Sequence, residues 1–300
     1  MHIIKTKSNP IVSMPIFEQV AILGPGLLGA SLAMAVRERQ ICERIFIWGR
    51  KEQRLENCRA MEWCDFADRD LEKVLAGSDL IVCCTPVESI QEMLREMMPK
   101  TGKDILVTDV GSVKESICTE AKQASNEESG TFIGSHPMAG SEKSGMEFAS
   151  GDLFAERTCI LTPMEDCPPD RTAKLVEFWE LLGMQTLIES PQTHDKIVAN
   201  VSHLPHLLAS SLARYLSQCS KGWMAASGQG LRDTTRVAEG DSGLWLEIMK
   251  ANQSKLNDSL DQWMKSLEEA KEFLRQGDWE NLEKFLSEAA DWRESLGSGK

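Results

Sequence analysis

His136 has the residue type and the setting of a general base. It lies in the segment SHPMAGSE (residues 135–142), directly after a short apolar run that predicts a strand, and Pro137 restricts the backbone that follows it. An imidazole titrates close to neutral pH, so it can accept a hydrogen bond from a hydroxyl group and take its proton. A histidine in a loop often has only a structural role. The residues around His136 therefore determine whether it is a base or a structural residue.

Arg236 could supply the positive charge that an anionic substrate requires. It ends the segment GQGLRDTTR (residues 228–236), and a guanidinium is a forked donor that matches the two oxygens of a carboxylate. Alternatively, Arg232 and Arg236 could form surface ion pairs with Asp233 and Glu239 on a helix. The sequence alone leaves both alternatives open.

Two further histidines and a serine occupy settings that suit a site. His203 and His206 are three residues apart, which places them on one face of a helix. Such a pair could bind a metal, but no third histidine or acidic ligand follows at helical spacing, so we predict no metal site. Ser112, in DVGSVK (residues 109–114), could contact a ligand or simply cap a helix over 113–119.

A glycine-rich turn predicts a dinucleotide-binding site. GPGLLG (residues 24–29) follows the apolar run VAIL and precedes the helical pattern ASLAMAV. In this context the first glycine permits a tight turn, the second lets the backbone approach a pyrophosphate, and the third lets the helix pack against the strand. The helix N-terminus attracts the phosphates. We therefore expect the cofactor to contact Gly24, Gly26, Leu27, Leu28 and Gly29.

The end of the next predicted strand favours NADP over NAD. An Asp or Glu there would bind the ribose 2′-hydroxyl of NAD, but RIFIW (residues 44–48) is followed by Gly49 and Arg50. A guanidinium suits the additional 2′-phosphate of NADP. Arg50 could also be an ordinary charge on a solvated turn, a description that fits Lys51 and Arg54 better. We expect NADP as the cofactor, with NAD as the alternative.

These residues require a parallel α/β sheet to bring them together. Short apolar runs alternate with helical patterns through the first half of the chain, which is typical of a Rossmann-type, mostly parallel sheet with crossover helices. The carboxyl ends of its strands face the ligand, which brings Thr85, Pro86, Ser112 and His136 to one edge. The predicted strands are 19–23, 44–48, 80–84, 105–109 and 131–134, with 158–161 and 185–188 extending the same sheet around a helix that buries Leu175, Phe178, Trp179 and Leu182.

After residue 190 the pattern becomes helical. Apolar residues recur at helical spacing over 195–216 and 243–274, and residues 278–296 predict a last amphipathic helix. We therefore predict two domains, a dinucleotide-binding domain over 16–190 and an all-α domain over 191–300. The helical domain offers too little surface to bury every apolar face, which favours a homodimer built on this half.

The composition argues against several classes of partner. A net charge of -13 disfavours nucleic acid and anionic membranes, and no apolar run reaches the roughly 20 residues of a membrane span. The N-terminal segment lacks the apolar core of a signal peptide, and the nine cysteines are scattered without a C-x-x-C pair. We expect a cytoplasmic protein with reduced thiols that acts on a small molecule, and the guanidinium of Arg236 suits a dicarboxylate.

Six stretches of the sequence match one known family, in the family's order and over nearly the whole chain. They are GPGLLGASLA, DLIVCCTPV, TDVGSVK, GSHPMAGSE, HDKIVANVSHLPH and GLRDTTRVA. Together they resemble the prephenate and arogenate dehydrogenases. The resemblance implies a Rossmann-type domain, an all-helical dimerisation domain and an active site in the cleft between them. It also implies oxidative decarboxylation, in which hydride leaves the ring carbon that bears the 4-hydroxyl and the ring carboxylate is lost as carbon dioxide.

The resemblance implies a role for each site residue. His136 accepts a hydrogen bond from the 4-hydroxyl and draws off its proton, while Ser112 holds that hydroxyl and the nicotinamide in register. Arg236 binds a carboxylate of the substrate, and Glu142 pairs with Arg236 and gates access. The other implied substrate contacts are Ser141, His206 near the substrate's side chain, and Trp245 of the partner subunit, and the other implied cofactor contacts are Thr85 and Pro86.

Substrate choice depends on the side chain, which is a keto acid in prephenate and an amino acid in arogenate. Arogenate-specific members tend to lack the second histidine of SHLPH, so His206 favours prephenate or both substrates. Arg50 favours arogenate, because many arogenate enzymes prefer NADP. We place prephenate first and arogenate second.

Two other classes of protein share parts of this pattern. A β-hydroxyacid dehydrogenase would need a catalytic lysine in the helical domain, where this chain has the histidine pair instead. An NADP-sensing module without turnover would not need Ser112, His136 and Arg236, so their presence argues against it.

Overall fold

The computed structural model describes residues 15–139, 143 and 145–297 of the chain. Strands and helices alternate in the first half. In order they are β1 (Phe17–Leu23), α1 (Leu27–Glu38), β2 (Cys42–Trp48), α2 (Glu52–Arg59), β3 (Phe66–Asp68), α3 (Leu71–Leu75), β4 (Leu80–Cys83), α4 (Val87–Met97), β5 (Leu106–Asp109), α5 (Glu115–Ala124), β6 (Thr131–Phe132), β7 (Gly134–Pro137), β8 (Thr158–Thr162), α6 (Pro169–Leu181) and β9 (Gln185–Ile188).

Helices joined by short loops form the second half, which has no strand among its described residues. It contains α7 (Pro191–Val198), a π-helical segment (Ala199–His203), α8 (Leu204–Ser217), α9 (Gln229–Thr235), α10 (Ser242–Ala251), α11 (Gln253–Gln276) and α12 (Trp279–Ser295). Short 3-10 helices lie at Met98–Lys100 and Met146–Phe148 in the first half, and at Lys221–Ala226 and Arg236–Glu239 in the second half. The predicted all-α half is confirmed.

Six parallel strands form the main sheet, in the order β3-β2-β1-β4-β5-β6. Successive residues of β1 contribute to two separate apolar clusters, with Ile22 in one and Leu23 in the other, so helices cover both faces of the sheet. The predicted Rossmann-type parallel sheet is confirmed. The sequence missed β3, because three residues are too few to give a periodic signal.

A second, three-stranded sheet contains β7, β8 and β9, with β7 antiparallel to β8 and β8 parallel to β9. The prediction of a single strand over 131–134 is therefore wrong, and so is the prediction that 158–161 and 185–188 extend the main sheet. His136 lies within β7, opposite Ile160, rather than after a strand as predicted.

Asp109 explains why the chain leaves the main sheet. The Ile133 N–H still donates to the carbonyl of Val107 in β5. The Ser135 N–H instead donates to the carboxylate of Asp109, at 3.1 Å, which ends the ladder with β5. Because the backbone of β7 no longer forms hydrogen bonds with β5, β7 can pair with β8 instead.

Helix α6 supports β7 from the core. The four residues predicted to face the core, Leu175, Phe178, Trp179 and Leu182, are all fully buried, so that prediction is confirmed. The Trp179 indole N–H donates to the Ser135 hydroxyl at 3.0 Å, and this hydroxyl also lies 2.7 Å from the Thr108 hydroxyl. The side chain of Ser135, the residue before His136, is therefore fixed by contacts with two other side chains.

The helical half exposes many large apolar side chains. They include Tyr215, Trp223, Met224, Leu244, Leu246, Met264, Leu267, Leu274, Trp279, Leu286 and Trp292, each more than two-fifths exposed. None of the helices that the structure describes is long and apolar enough to cross a membrane.

Candidate active site

The glycine turn between β1 and α1 has the shape of a phosphate cradle. Gly24 has a φ of 108°, and a Cβ there would lie 2.7 Å from the Thr85 methyl group. A Cβ on Gly29 would overlap the Gly24 carbonyl oxygen, so this glycine is required for the helix to pack against the turn. A Cβ on Gly26 would meet nothing within 4 Å, so the space beside Gly26 is open.

The N-terminus of α1 is available to an anion. Gly26 is its N-cap residue, no side chain caps it, and its first turn carries no acidic residue. The free N–H groups and the helix dipole favour a negative charge at this end. The glycine turn and this helix end together fit the pyrophosphate of a dinucleotide, with Leu27 and Leu28 in the first turn.

A cavity of about 320 Å³ lies beside the carboxyl ends of β2 and β3. Arg50 and Thr85, two of the predicted cofactor contacts, line it, and Pro86 is the N-cap residue of α4 at its edge. Arg69, which follows β3, also lines the cavity and was not predicted, because β3 was missed. This is where the adenosine half of a dinucleotide lies in Rossmann-type folds.

His136 is the end of a hydrogen-bonded chain of three side chains. Its Nδ1 lies 2.9 Å from Nε2 of His194, and Nδ1 of His194 lies 2.8 Å from Oδ1 of Asp195. The carboxylate accepts, so His194 carries its proton on Nδ1 and accepts at Nε2. His136 must then donate from Nδ1. Its Nε2 is left with a free lone pair, which is the atom that a base uses.

Burial keeps these imidazoles neutral. The pKa of His136 lies well below its usual value of 6.5, chiefly because of burial and next because of the neighbouring His194. Burial also lowers the pKa of His194, although its hydrogen bond to Asp195 opposes the effect. Burial lowers the pKa of His203 to about 4. A neutral His136 is able to accept a proton at neutral pH.

Asp109 and Lys114 form a buried ion pair beneath His136. Both side chains are fully buried, and the Lys114 ammonium donates to the Asp109 carboxylate and to the Ser135 carbonyl. The Asp109 carboxylate also accepts the Gly111 N–H at 2.8 Å. The pair therefore orders the loop that carries Ser112, which is half-buried, and fixes the backbone of β7 against it.

Ser112 does not cap α5 directly. The helix begins at Glu115, with Lys114 as its N-cap residue. Its first N–H groups are satisfied by Asp195 of α7, which accepts from Lys114 N at 2.7 Å and from Glu115 N at 3.0 Å. The capping role considered for Ser112 is thus filled by a residue from the other half of the chain.

His206 and Trp245 form a stacked pair beside the His136 chain. Their ring centroids are 3.6 Å apart and their planes differ by 12°. Gly240 lies against both rings, and a Cβ there would be 2.5 Å from the Trp245 Nε1. Within the chain Trp245 contacts His206, and the expected approach of this tryptophan from the partner subunit stays a prediction.

His203 connects the two groups of histidines. Its Nδ1 accepts from the Asn252 side chain at 3.2 Å, while the same Asn252 amide donates to the Asp195 carbonyl at 2.8 Å. His203 therefore carries its proton on Nε2. His203 Nε2 and His206 Nδ1 are both buried and have no hydrogen-bond partner among the residues described. Buried polar atoms without partners are rare, and at a site they suit contact with a ligand.

Arg236 lies next to this cluster. It starts the 3-10 turn Arg236–Glu239, and the following residue, Val237, forms a backbone hydrogen bond with the His206 ring. Within the described chain neither Arg232 nor Arg236 pairs with Asp233 or Glu239, so the alternative of surface ion pairs is wrong. Of the other predicted residues, Ser141 and Glu142 lie outside the described residues.

The sequence missed the residues that orient the base, which are His194, Asp195, Asn252 and Lys114. One signal was available: the chain has five histidines, and four of them meet in this cluster. The adjacent pair His194-Asp195, at the first predicted helix of the second half, could have been selected as the partner of a base.

Comparisons with known proteins agree on one family. The model "Prephenate dehydrogenase, nucleotide-binding domain" matches residues 32–188, and "Prephenate dehydrogenase, dimerization domain" matches residues 190–288. The cyclohexadienyl dehydrogenase of Zymomonas mobilis is 30% identical over 94% of this chain and 97% of its own length. The prephenate dehydrogenase of Bacillus subtilis is 30% identical over 93% of this chain and 76% of its own length.

Solved structures give the same result. A prephenate dehydrogenase from A. aeolicus, in complex with hydroxyphenyl propionate and NAD+, matches with a TM-score of 0.87 and 27% identity, over 95% of this chain and 99% of the other. The Synechocystis arogenate dehydrogenase matches with a TM-score of 0.81 and 29% identity, over 93% of this chain and 99% of the other.

Proposed function

The chain belongs to the prephenate dehydrogenase family, and on that premise we propose how its residues carry out the NAD(P)-dependent oxidative decarboxylation of prephenate. When bound, the nicotinamide accepts a hydride from the ring carbon that bears the 4-hydroxyl. The hydroxyl proton moves toward His136 as the hydride leaves. The bond to the ring carboxylate then breaks, carbon dioxide leaves, and the electron pair of that bond enters the ring toward the oxygen. The aromatic phenolate that results takes the proton back from His136.

His136 is the proton acceptor in this proposal. The observation that carries it is the hydrogen-bonded chain from Asp195 through His194, which leaves the lone pair on Nε2 of His136. The low pKa of His136 keeps that lone pair available at neutral pH. Ser112, in the loop ordered by Asp109, would hold the hydroxyl toward this nitrogen.

The helical half supplies the contacts to the substrate's carboxylates and side chain. Arg236 would bind a carboxylate through its guanidinium, which the described carboxylates leave unpaired. The Nε2–H of His203 has no partner and would donate to a further oxygen of the substrate. His206 would face the side chain, with Trp245 stacked on it. Ser141 and Glu142 stay predicted contacts.

Arogenate is the second candidate substrate, and one atom favours it. With the backbone of Val237 bonded to the His206 ring, Nδ1 of His206 is left as an acceptor without a partner. The ammonium group of arogenate is a donor that would satisfy it, whereas the keto group of prephenate is an acceptor. The structure of the Synechocystis arogenate dehydrogenase is among the similar folds.

NADP is the proposed cofactor, with NAD as the alternative. Gly24, Gly26 and Gly29 would hold its pyrophosphate. Gly49 and Arg50, rather than an acidic residue, directly follow β2, and Arg50 lines the adjacent cavity, which supports a 2′-phosphate there. Leu27, Leu28, Thr85 and Pro86 are the remaining proposed contacts.

A homodimer built on the helical domain is the proposed assembly, with a domain boundary near residue 190. Met264, Leu267 and Leu274 share one face of α11, and each is more than half exposed. A family model named for dimerisation covers this part of the chain. Sedimentation should give twice the chain mass, and Leu267→Glu should shift it toward the monomer. A cytoplasmic location stays a prediction.

Steady-state kinetics with both substrates and both cofactors tests the proposal. Prephenate with NADP should yield NADPH, measured by its absorbance, and 4-hydroxyphenylpyruvate in equal amounts. Higher kcat/KM with arogenate would make it the substrate instead. Turnover of neither substrate, together with tight NADP binding, would favour a sensing module.

A further inference from the structure

Arg69 shares a cavity with Arg50. Strands β2 and β3 pair in parallel, with Trp48 opposite Asp68 at their carboxyl ends. Arg50 comes two residues after Trp48, and Arg69 comes one residue after Asp68. The two arginines therefore leave the sheet next to each other, and both line the cavity of about 320 Å³.

The turn that carries Arg69 is held in place. The Trp48 indole N–H donates to the Arg69 carbonyl at 2.9 Å, which ties the end of β3 to the end of β2. The Asp68 carboxylate accepts the Asp70 N–H, also at 2.9 Å. The position of the Arg69 backbone is thus fixed by side chains, even though its own side chain is exposed.

The charge of Arg69 is not used within the described chain. The carboxylates beside it, Asp68 and Asp70, lie 3.6 and 3.7 Å from the ammonium of Lys73. Glu92 and Glu96 of α4 also line the cavity, but neither lies within 4.0 Å of either arginine. Two unpaired guanidinium groups at one cavity suit a dianion with several acceptor oxygens.

We propose that Arg69 is a specificity-determining residue, which binds, together with Arg50, a phosphate monoester on the ribose 2′-oxygen of an adenine dinucleotide. This inference rests on the proposed preference for NADP and adds a second residue to it. Each arginine would contribute charge-assisted hydrogen bonds to the same phosphate, while a cofactor with a free 2′-hydroxyl would leave both unpaired.

Calorimetry with two small probes isolates this contact from catalysis. The ligand 2′,5′-ADP carries the 2′-phosphate, and 5′-AMP lacks it. Arg69→Met should weaken binding of 2′,5′-ADP by about tenfold or more, and of 5′-AMP by less than about twofold, because only 2′,5′-ADP would lose a charge-assisted hydrogen bond. Arg69→Lys should restore part of the loss. Arg54→Met is the matched control, because Arg54 lies on α2 and does not line the cavity.

The combination of Arg50→Met and Arg69→Met tests whether both arginines bind one phosphate. Their effects on 2′,5′-ADP should not be additive, because they share a partner. The role of Arg69 is overturned if its variant binds 2′,5′-ADP like the wild type, or if it loses affinity for both probes equally. In that case a selective loss of 2′,5′-ADP binding in Arg50→Met would still support the NADP preference. Equal binding of both probes by the wild type would remove that preference and this inference with it.

Discussion

His136 and His194 face each other through Nδ1 and Nε2, 2.9 Å apart, so the protonation of one ring determines that of the other. The second contact of His194, with Asp195, fixes the direction of the whole chain. Asp195 therefore determines which nitrogen of His136 is free.

Asp195→Ala should release the chain of tautomers. Oδ1 of Asp195 accepts from Nδ1 of His194 and from the Lys114 N–H, while Oδ2 accepts from the Glu115 N–H, so alanine removes the acceptor that holds the His194 proton on Nδ1. His194 would then be free to donate from Nε2, and His136 would carry its proton on the catalytic nitrogen. We expect kcat to fall by about 10²- to 10⁴-fold, the range for loss of general-base catalysis, with NADP affinity unchanged.

A direct readout distinguishes this from a structural effect. The ¹⁵N chemical shifts of the His136 ring should report a change of tautomer in a variant that still melts cooperatively. Unchanged ring shifts alongside reduced activity would assign Asp195 a purely structural role, through its cap on α5.

His136→Asn removes the proton acceptor itself. Turnover should fall by about a hundred- to ten-thousand-fold, while the dissociation constant of NADP stays nearly constant, because His136 acts on the substrate's hydroxyl rather than on the nucleotide. Stopped-flow measurement of NADPH formation at saturating substrate tests this. A loss confined to KM would contradict the role of base.

The pH dependence follows from the direction of the His136 pKa. Since burial and His194 lower it well below 6.5, the neutral, active ring persists as the pH falls through 6.5, and only a more acidic solution protonates it. We expect kcat/KM to be level on the acid side from about pH 8 down to 6.5 and to decline below that. An acid limb centred at or above 6.5 would mean that His136 is not the group being titrated.

Arg236→Gln should weaken substrate binding by about ten- to a hundredfold, the usual value of a charge-assisted contact, with little change in NADP affinity. Arg232→Gln is the matched control, since it lies on the same segment, is exposed and lacks the neighbouring contact of Val237 with His206. KM values for the two variants settle the comparison, and equal effects would return Arg236 to the role of a surface charge.

The cofactor cradle predicts opposite outcomes for two glycines. Gly26→Ala should fold normally, because the added methyl group meets nothing within 4 Å, yet it should lose most cofactor affinity by filling the space of the pyrophosphate. Gly29→Ala should lower stability by about 1–3 kcal/mol, because its methyl group would overlap the Gly24 carbonyl. Thermal melting and NADP titration of both variants test this, and an unaltered affinity in Gly26→Ala would place the pyrophosphate elsewhere.

The sequence predicted the elements that have a strong local signal. The glycine turn, the apolar strands β1, β2, β4 and β5 and the long helices were all visible as motifs or periods. Strand β3 was too short, and the second sheet depends on one contact, from the Ser135 N–H to Asp109, which no local pattern reveals. Pairing between residues distant in the sequence is decided by such contacts.

Only some residues of the candidate site could likewise be predicted from the sequence. His136 and Arg236 stood out by residue type and motif. The groups that orient them did not, because His194 of α7 meets His136 of β7 only in the folded chain, across 58 positions of sequence. Arg69 was missed together with the strand that carries it.

Asp195 belongs to the helical half, yet it caps the first turn of α5 in the sheet half. The two halves are therefore not interchangeable modules, and cleavage of the chain after residue 190 would leave that helix without its acceptor. We expect them to melt as one cooperative unit. A chimera whose helical half comes from a relative therefore needs an aspartate at this position. Without it, α5 loses the acceptor at its first turn, and the histidine chain loses the protonation pattern on which turnover depends.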